Sequence, residues 1–383
     1  MPETGVNEAS SGTYRRYMNA ADPAADAVAA AFAKLPAGRG RQMLDMALAH
    51  GIAAVSDAPP ALVEFFAQID ALPAWADWKH IDRGGLLFLR SGMVGIAALS
   101  LACLPMMYRS PVGNKPLVFT GQLLRRAPRR LAETARFMLE TSRPGGLHRS
   151  AEGFAMTVRV RLMHAQVRRL LRQSGRWNAA WGEPVNQLYM AGTGITLSAV
   201  FLRSLRRLGF LVSRGDAAAL MALWRYSSHL MGVMPELQCS TEAEGLRVIE
   251  FMAEFEGAPD DDSRALMNAV MTAPYMPGLE RYTWRVPMAY DLSRELVGEA
   301  LADALGYPPR HGWGWLRLAA WPLLAGAELL QRTIPAMRAR AARRGTALAE
   351  TIIAQVLAGS RPDAQPATRH ARAHTEGTEG GRP

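Results

Sequence analysis

Residues 156–171 read Met-Thr-Val-Arg-Val-Arg-Leu-Met-His-Ala-Gln-Val-Arg-Arg-Leu-Leu. The segment contains no glycine or proline, and its apolar residues and arginines recur at helical spacing, so we predict a helix. Arg161, His164 and Arg168 share one face of that helix. A neutral imidazole can ligate haem iron and guanidinium groups can pair with the haem propionates, which makes His164, Arg161 and Arg168 candidate haem-binding residues. A half-buried histidine on a basic surface helix explains the same pattern, and this segment leaves both interpretations open.

The composition is that of a folded protein with a strong positive charge. Of 383 residues, 49% are hydrophobic and 20% charged, which allows a sizeable core in one large domain or two. The net charge of +10 is carried almost wholly by arginine, since the only lysines are Lys34, Lys79 and Lys115. This balance permits contact with nucleic acid, anionic lipid or an acidic cofactor, and equally a solvated basic surface. No zinc-finger or RNA-binding signature occurs, so we expect no nucleic-acid partner.

Cysteine usage and the amino terminus bear on the cofactor and the compartment. Cys103 and Cys239 are the only cysteines, so there is no disulfide framework, CxxC motif or CxxCH site, and any haem is expected to be held non-covalently. Residues 1–12 lack an apolar stretch of the kind that export signals contain. We therefore expect a cytoplasmic protein.

Helical spacing recurs along the chain, and no period-2 run of useful length is found. The sequence therefore predicts an all-α fold. Residues 23–360 are expected to form one large helical domain, preceded by a loose leader at 1–22 and followed by a disordered tail at 361–383.

Two apolar segments raise the question of membrane contact. Residues 91–107 carry no charge, and we interpret them as a buried helix, with a membrane span as the alternative because seventeen residues is the lower limit for a span. Residues 313–344 combine three tryptophans and an apolar stretch with a basic end. Peripheral association with a membrane surface through 313–344 is the corresponding hypothesis.

Three motifs follow one another in the order of a known family. They are Arg130-Leu-Ala-Glu-Thr134, then Arg161-Leu-Met-His-Ala-Gln-Val-Arg168, then Gly182-Glu-Pro-Val-Asn-Gln187. This ordered set resembles the latex-clearing proteins (rubber oxygenases) and the MpaB oxygenases. The resemblance covers about residues 70–260. Each motif is short, and the specificity lies in their order.

The resemblance implies an all-α fold that encloses one haem b, with His164 as the iron ligand. It implies that Arg130 and Thr134 belong to the haem pocket and its distal side, where an arginine can stabilise negative charge developing on oxygen. The implied reaction is cleavage of a carbon–carbon double bond with O2, in an apolar terpenoid or other lipid-like substrate. Rubber oxygenases carry a lysine before the motif threonine, whereas this chain has Glu133, so a lysine-capped iron is not expected.

Two other classes of function account for parts of the same sequence. A haem-binding sensor or carrier without turnover would use His164 and the two arginines without consuming oxygen. A membrane-surface interaction protein would use the apolar and basic residues of 313–344 and would need no haem.

Overall fold

Helices make up the regular secondary structure of the chain in the ranges that the computed structural model describes, which are residues 8–119, 123–272 and 282–359. Side chains are described throughout these ranges except at 8–10, 123–131 and 358–359. The predicted all-α fold is confirmed. The α-helices in chain order are α1 (Glu8–Met18), α2 (Pro23–Phe32), α3 (Arg39–His50), α4 (Pro60–Asp70), α5 (Trp78–Ala98), α6 (Leu104–Tyr108), α7 (Pro111–Val118), α8 (Leu123–Ser142), α9 (Glu152–Gln173), α10 (Gln187–Ile195), α11 (Phe201–Arg207), α12 (Arg214–Leu230), α13 (Glu242–Phe255), α14 (Asp261–Thr272), α15 (Arg285–Val297), α16 (Glu299–Ala304), α17 (Trp315–Thr333) and α18 (Pro335–Gly359).

Two π-helical turns lie where the most apolar helices cross. Leu99–Cys103 joins α5 to α6, and Thr196–Val200 joins α10 to α11. The two turns contact each other, and the Cys103 thiol donates a hydrogen bond to the Thr196 carbonyl oxygen at 3.4 Å. The Thr196 carbonyl oxygen also accepts a hydrogen bond from the Phe201 backbone N–H in the π turn, so the thiol supplies a second donor to the same oxygen.

The expected buried helix at 91–107 lies within the longer of two apolar helices. The continuous helices Trp78–Tyr108 and Gln187–Arg207 are long and apolar enough to cross a membrane by length and composition. Half of the most apolar stretch of the first, and most of that of the second, is buried inside the protein. α5 packs against α8, α11, α12 and α18. These contacts are those of a core helix, which the buried interpretation predicted.

α5 and α18 cross at a short distance in the core. A Cβ atom on Gly345 would lie within 2 Å of the Leu89 carbonyl oxygen, so only glycine fits at this position. α5 bends nearby at Gly92, whose φ of +50° is unusual for residues with a side chain.

The amino-terminal segment differs from the expected loose leader. Residues 8–18 form α1, in which Tyr14 stacks on Phe255 with 4.7 Å between ring centroids. Met18 accepts a backbone hydrogen bond from Glu183, and the buried Asp22 caps α2. The spacing of Tyr14 and Met18 places both on one face, which buries them and orders the segment. The predicted tail at 361–383 lies outside the described residues.

A buried cluster of charges joins α5, α12, α17 and α18. Asp216 accepts hydrogen bonds from Arg83 (2.8 Å), Arg90 (3.2 Å) and Arg338 (3.1 Å). Arg90 also donates a short hydrogen bond to Glu328. Burial alone would raise the pKa of Asp216, but its hydrogen bonds and the neighbouring arginine charges bring that pKa below its ordinary value. Asp216 is therefore the carboxylate on which three arginines converge.

We predict that Asp216→Asn lowers the free energy of unfolding by about 3–5 kcal/mol near pH 7, because it leaves the buried Arg90 with one fewer counter-charge. Chemical denaturation measures the change, and Asp57→Asn, at an exposed pair with Arg39, is the control that should change stability far less.

The same pair of proteins should show a definite pH dependence. A carboxyl group whose pKa is lowered by folding stabilises the protein above its unfolded pKa of about 4, and that contribution is lost as the pH falls through the folded value. The stability difference between wild type and Asp216→Asn should therefore shrink below about pH 4. A difference that stays constant over this range would contradict the assignment.

Candidate functional site

The site is built on the pair of packed helices α8 and α9. The first turn of α9 lies against the end of α8, since a Cβ on Gly153 would be 2.6 Å from the Glu140 carbonyl oxygen. Arg130 lies twelve residues before the last residue of α8, and His164 lies twelve residues after the first residue of α9. At about 1.5 Å per residue, both are about 18 Å along their helices from the connection. Arg130 and His164 therefore lie at equal distances from the connection between α8 and α9.

His164 lies between two faces of α9 with different surroundings. Around the helix axis, at about 100° per residue, Arg168 and Arg161 lie about 40° and 60° from His164 on one side. Val160 and Val167 lie about 40° and 60° from it on the other side. The arginines are buried, whereas His164 and the two valines are partly exposed. The imidazole is therefore at the border between the packed interior and a more open apolar face.

That open face is a continuous apolar stripe along α9. Its members are spaced by three and four residues, as on one side of a helix: Met156, Val160, Met163, Val167 and Leu170. Met163 is 41% and Leu170 61% exposed. Exposed apolar side chains gain free energy when they are covered, so the stripe beside His164 suits an apolar group or substrate.

Arg161 is engaged on the opposite side of the helix. Its Nε and Nη2 atoms donate to the two carboxylate oxygens of Asp22 at 2.7 and 3.0 Å, and its Nη1 donates to the Leu230 carbonyl oxygen at 3.2 Å. The guanidinium also lies 4.8 Å from the centre of the Phe65 ring. This buried bidentate pair joins α9 to the start of α2.

Arg168 repeats this arrangement two turns later. Its Nε donates to Asp26 of α2 at 2.8 Å, and its Nη1 donates to the Val185 carbonyl oxygen at 2.8 Å. Val185 has a φ of +51°, unusual for a β-branched residue, so this hydrogen bond helps to hold a strained turn. Both guanidinium groups thus contact α2 carboxylates, and their contacts with haem propionates stay a prediction. Arg168 Nη2 is buried and has no hydrogen-bond partner among the described residues.

The third sequence motif, at 182–187, joins separate segments of the chain through hydrogen bonds. Asn186 caps α10 by accepting a hydrogen bond from the Tyr189 backbone at 3.1 Å. Gln187 donates to the carbonyl oxygens of Ala21 and Gly232. Motif residues 186 and 187 therefore join the chain before α2 to the end of α12, which sets the surroundings of α9.

The residues proposed for the distal side lie on α8. Thr134 and Glu133 have exposed side chains. Arg130 belongs to the helical part of α8, one turn before Thr134, and its side chain lies outside the described residues.

Sequence reasoning gave no role to Trp224, which packs near the same helix. Its ring centre lies 6.4 Å from that of Phe137, one turn beyond Thr134. The Trp224 indole N–H is buried and has no hydrogen-bond partner among the described residues. Such a donor is costly to bury unpaired, which makes it a group that could meet a bound molecule.

Another partly buried histidine, His229, is in a different environment. Its ring stacks on Tyr226 and meets Trp75 edge-on. Burial, followed by the charge of Arg161, lowers the pKa of His229 and favours its neutral form. These aromatic contacts make His229 a packed structural residue, in contrast to His164 at the open stripe.

The ligand set suits haem better than a non-haem metal. No group of three or more His, Cys, Asp or Glu side chains that could hold a metal ion is found among the described residues. Non-haem metal centres use several protein ligands, whereas haem iron needs one axial side chain and an apolar pocket. His164 supplies one such side chain, and the stripe beside it supplies an apolar surface.

A cavity of about 320 Å³ lies at the other end of α9, lined by Trp78, Phe154 and Tyr226 among others. Phe154 precedes His164 by ten residues, or about 15 Å along the helix. This cavity is therefore separate from the His164 site.

The fold and the site define an all-α protein with a histidine presented on a helix pair. Comparison with known families then identifies it: residues 78–327 match the family described as ER-bound oxygenase mpaB/B'/Rubber oxygenase, catalytic domain. The chain belongs to this family and is an oxygenase, which confirms the resemblance found in the sequence.

Individual relatives agree with this assignment. The chain is 26% identical over 289 residues to a rubber oxygenase of Streptomyces sp. (strain K30), a match that covers 73% of this chain and 67% of the relative. A solved structure of latex clearing protein LCP in the closed state superposes with a TM-score of 0.67 and 22% identity, covering 88% of this chain and 91% of that one. The second likeness establishes the shared fold.

The contacts of Arg161 lead to a prediction about stability. Arg161→Met should lower the free energy of unfolding of the haem-free protein by about 3–5 kcal/mol, because it leaves the buried Asp22 without its partner. Chemical denaturation of Arg161→Met, Asp22→Asn and the double variant forms a cycle in which the double variant loses less than the sum of the single changes.

Arg159→Met is the matched control, since Arg159 lies on α9 but is 43% exposed and pairs with Asp45. Its effect should stay below about 1 kcal/mol. If Arg161→Met left the stability of the haem-free protein unchanged and weakened only haem retention, Arg161 would serve the cofactor instead.

Proposed function

We propose that this protein is a haem b-dependent oxygenase that uses O2 to cleave a carbon–carbon double bond in an isoprenoid or other lipid-like substrate. The observation that carries the proposal is the place of His164, on the helix pair within the family's catalytic domain and at the edge of an apolar stripe. A dioxygenase-type reaction is the form that we propose.

His164 would bind the haem iron through its imidazole, and the stripe that includes Val160, Met163 and Val167 would contact the apolar macrocycle. When bound, haem would supply the binding and activation of O2, which no protein side chain provides. The imidazole must be neutral to ligate iron.

Arg161 and Arg168 take a different part in this proposal from the one the sequence suggested. Both are positioning residues, since their guanidinium groups fasten α9 to Asp22 and Asp26 of α2. Two buried pairs, two turns apart on α9, resist rotation of the helix about its axis. They thereby hold His164 at the border of the stripe.

Arg130 and Thr134 would act on the oxygen side. Arg130 lies as far along α8 as His164 lies along α9, and a guanidinium there would donate hydrogen bonds to oxygen atoms that gain negative charge during the reaction. Thr134, one turn away, would add a hydroxyl donor. Thr134 and Glu133, the residue before it, both have exposed side chains on this part of α8.

The substrate class follows from the lining. The rubber oxygenase relative acts on rubber by its name, and the apolar stripe of this chain suits an apolar substrate of the same chemical kind. We propose a terpenoid or related lipid. A cytoplasmic location stays a prediction.

We predict that the purified protein carries about one non-covalent haem per chain and that His164→Ala loses it, because one histidine supplies the axial bond. The Soret absorbance relative to protein concentration measures retention. His50→Ala, an exposed histidine at the end of α3, is the control and should keep its haem. A folded His164→Ala variant with full haem content would exclude His164 as the ligand, and a haem protein that consumes no O2 with any alkene would be a carrier or sensor.

The state of the sixth iron position yields a second prediction. Resting wild type should show no nitrogen-ligated, low-spin spectrum, because Glu133 stands where rubber oxygenases have a capping lysine. Glu133→Lys should produce that low-spin spectrum, since an amine binds iron where a carboxylate does not favour burial. Glu133→Gln, which removes the charge without adding an amine, is the matched control.

Arg130→Ala should slow turnover by about 10²–10³-fold while haem content stays close to wild type, as expected for a donor that acts in the transition state. A low-spin, nitrogen-ligated wild type would contradict this account of the distal side.

A further inference from the structure

The solvent-exposed face of α17 is apolar, whereas the exposed face of an ordinary surface helix is polar. Trp321 is partly exposed at one edge of the helix, and the other large exposed side chains form a row: Trp315, Leu318, Leu323, Leu329 and Leu330, which Ile334 continues. Leu323 is 77% and Leu318 63% exposed. We call this row the α17 face. Contiguous apolar surface of this kind marks a contact with a membrane or another molecule.

The inner side of the same helix is firmly anchored. Glu328 is buried and pairs with Arg90 of α5. Trp321 leans over Gly209, where a Cβ atom would lie 2.7 Å from its ring. Arg317 donates to the Arg207 carbonyl oxygen at 3.3 Å. With Glu328 and Arg317 held on one side, the helix cannot roll to hide its leucines, so the α17 face stays outward.

Charge along the segment that carries the face is almost all of one sign. From residue 313 to residue 349 the sequence contains six arginines and a single carboxylate, Glu328, which is buried. Arg332, Arg340, Arg343 and Arg344 have exposed side chains. An apolar row with tryptophan and an arginine border is the composition of helices that lie in the interface of anionic bilayers.

The same charges argue against a second copy of this chain as the occupant. A two-fold dimer through this face would bring two arginine borders together, with no exposed carboxylate in 313–349 to pair with them. Lipid phosphates provide the missing negative charge. α17 is 19 residues long, about 28 Å, and its polar inner side remains attached to the protein. A position parallel to the membrane plane therefore fits, and a span does not.

We propose that the α17 face is a membrane-docking surface that binds an anionic bilayer, with its leucines and Trp315 at the acyl boundary. The exposed arginines, among them Arg343 and Arg344, contact the lipid phosphates. This surface does not depend on the proposed chemistry at His164, and the two can be tested separately.

The test uses the full chain, as purified with its cofactor, and vesicles of phosphatidylcholine with or without phosphatidylserine. Wild-type protein should sediment with vesicles that contain phosphatidylserine, and it should dissociate from them as the salt concentration is raised. The variant with both Leu323→Glu and Leu330→Glu should bind more than about tenfold more weakly, because each leucine contributes about that factor when buried. Both positions are exposed, so the fold does not need them.

Val63→Glu is the matched control, since Val63 is 45% exposed on α4 and the same charge is introduced elsewhere. It should bind as wild type. Arg343→Gln with Arg344→Gln should reduce the preference for phosphatidylserine and its salt dependence. The Soret band of every variant should be unchanged, which separates this result from any failure of the haem assignment.

The proposal is overturned if wild type binds neither kind of vesicle, or if the double leucine variant binds them as well as wild type does. It is also overturned if analytical ultracentrifugation shows a wild-type dimer that the leucine variant converts to a monomer, because a second copy would then cover the face.

Discussion

Two buried ion pairs between α9 and α2 are the constraint on which the site depends. Arg161 with Asp22 and Arg168 with Asp26 fasten one side of α9 to the segment that begins the fold. A buried arginine pair adds less stability than its Coulomb attraction suggests, since both charges lose water. What the Arg161 pair provides is geometry, because its planar guanidinium on both Asp22 carboxylate oxygens accepts only one orientation, and Arg168 adds a second attachment through one oxygen of Asp26. Because these pairs fix the orientation of α9, they also fix the direction in which the His164 imidazole points.

Buried ion pairs also join α5, α12, α17 and α18. Asp216 and Glu328 pair with arginines that arrive from α5 and α18, and Glu328 thereby orients α17. On α9 and on α17, the paired charges lie on the side of the helix that packs inside the protein, and a row of apolar side chains faces outward. This arrangement explains why two apolar surfaces of the described chain are left partly exposed. One lies beside the candidate iron ligand and the other along α17, so each is available to a different apolar partner.

The membership of the oxygenase family and the all-α fold agree with this arrangement. The resemblance found in the sequence implies that Glu133, on α8, stands in place of a rubber-oxygenase lysine and that His164, on α9, stands at the position of the iron ligand. The chemistry proposed for the iron side thus rests on residues that match the family. The expected resting state rests on one residue that does not.

The sequence by itself determined the helical fold, the helix that carries His164 and the order of the three motifs, because helical spacing and motif order are local properties. Only the tertiary structure decided what Arg161 and Arg168 bind. Asp22 lies 139 residues from Arg161 in a segment that looked like a loose leader, and no local pattern joins the two. The tertiary structure also decided that the α17 leucines face outward. Glu328 is buried on the inner side of α17 because it pairs with Arg90, 238 residues away. Side-chain periodicity shows which residues share a face, but long-range packing chooses which face is buried.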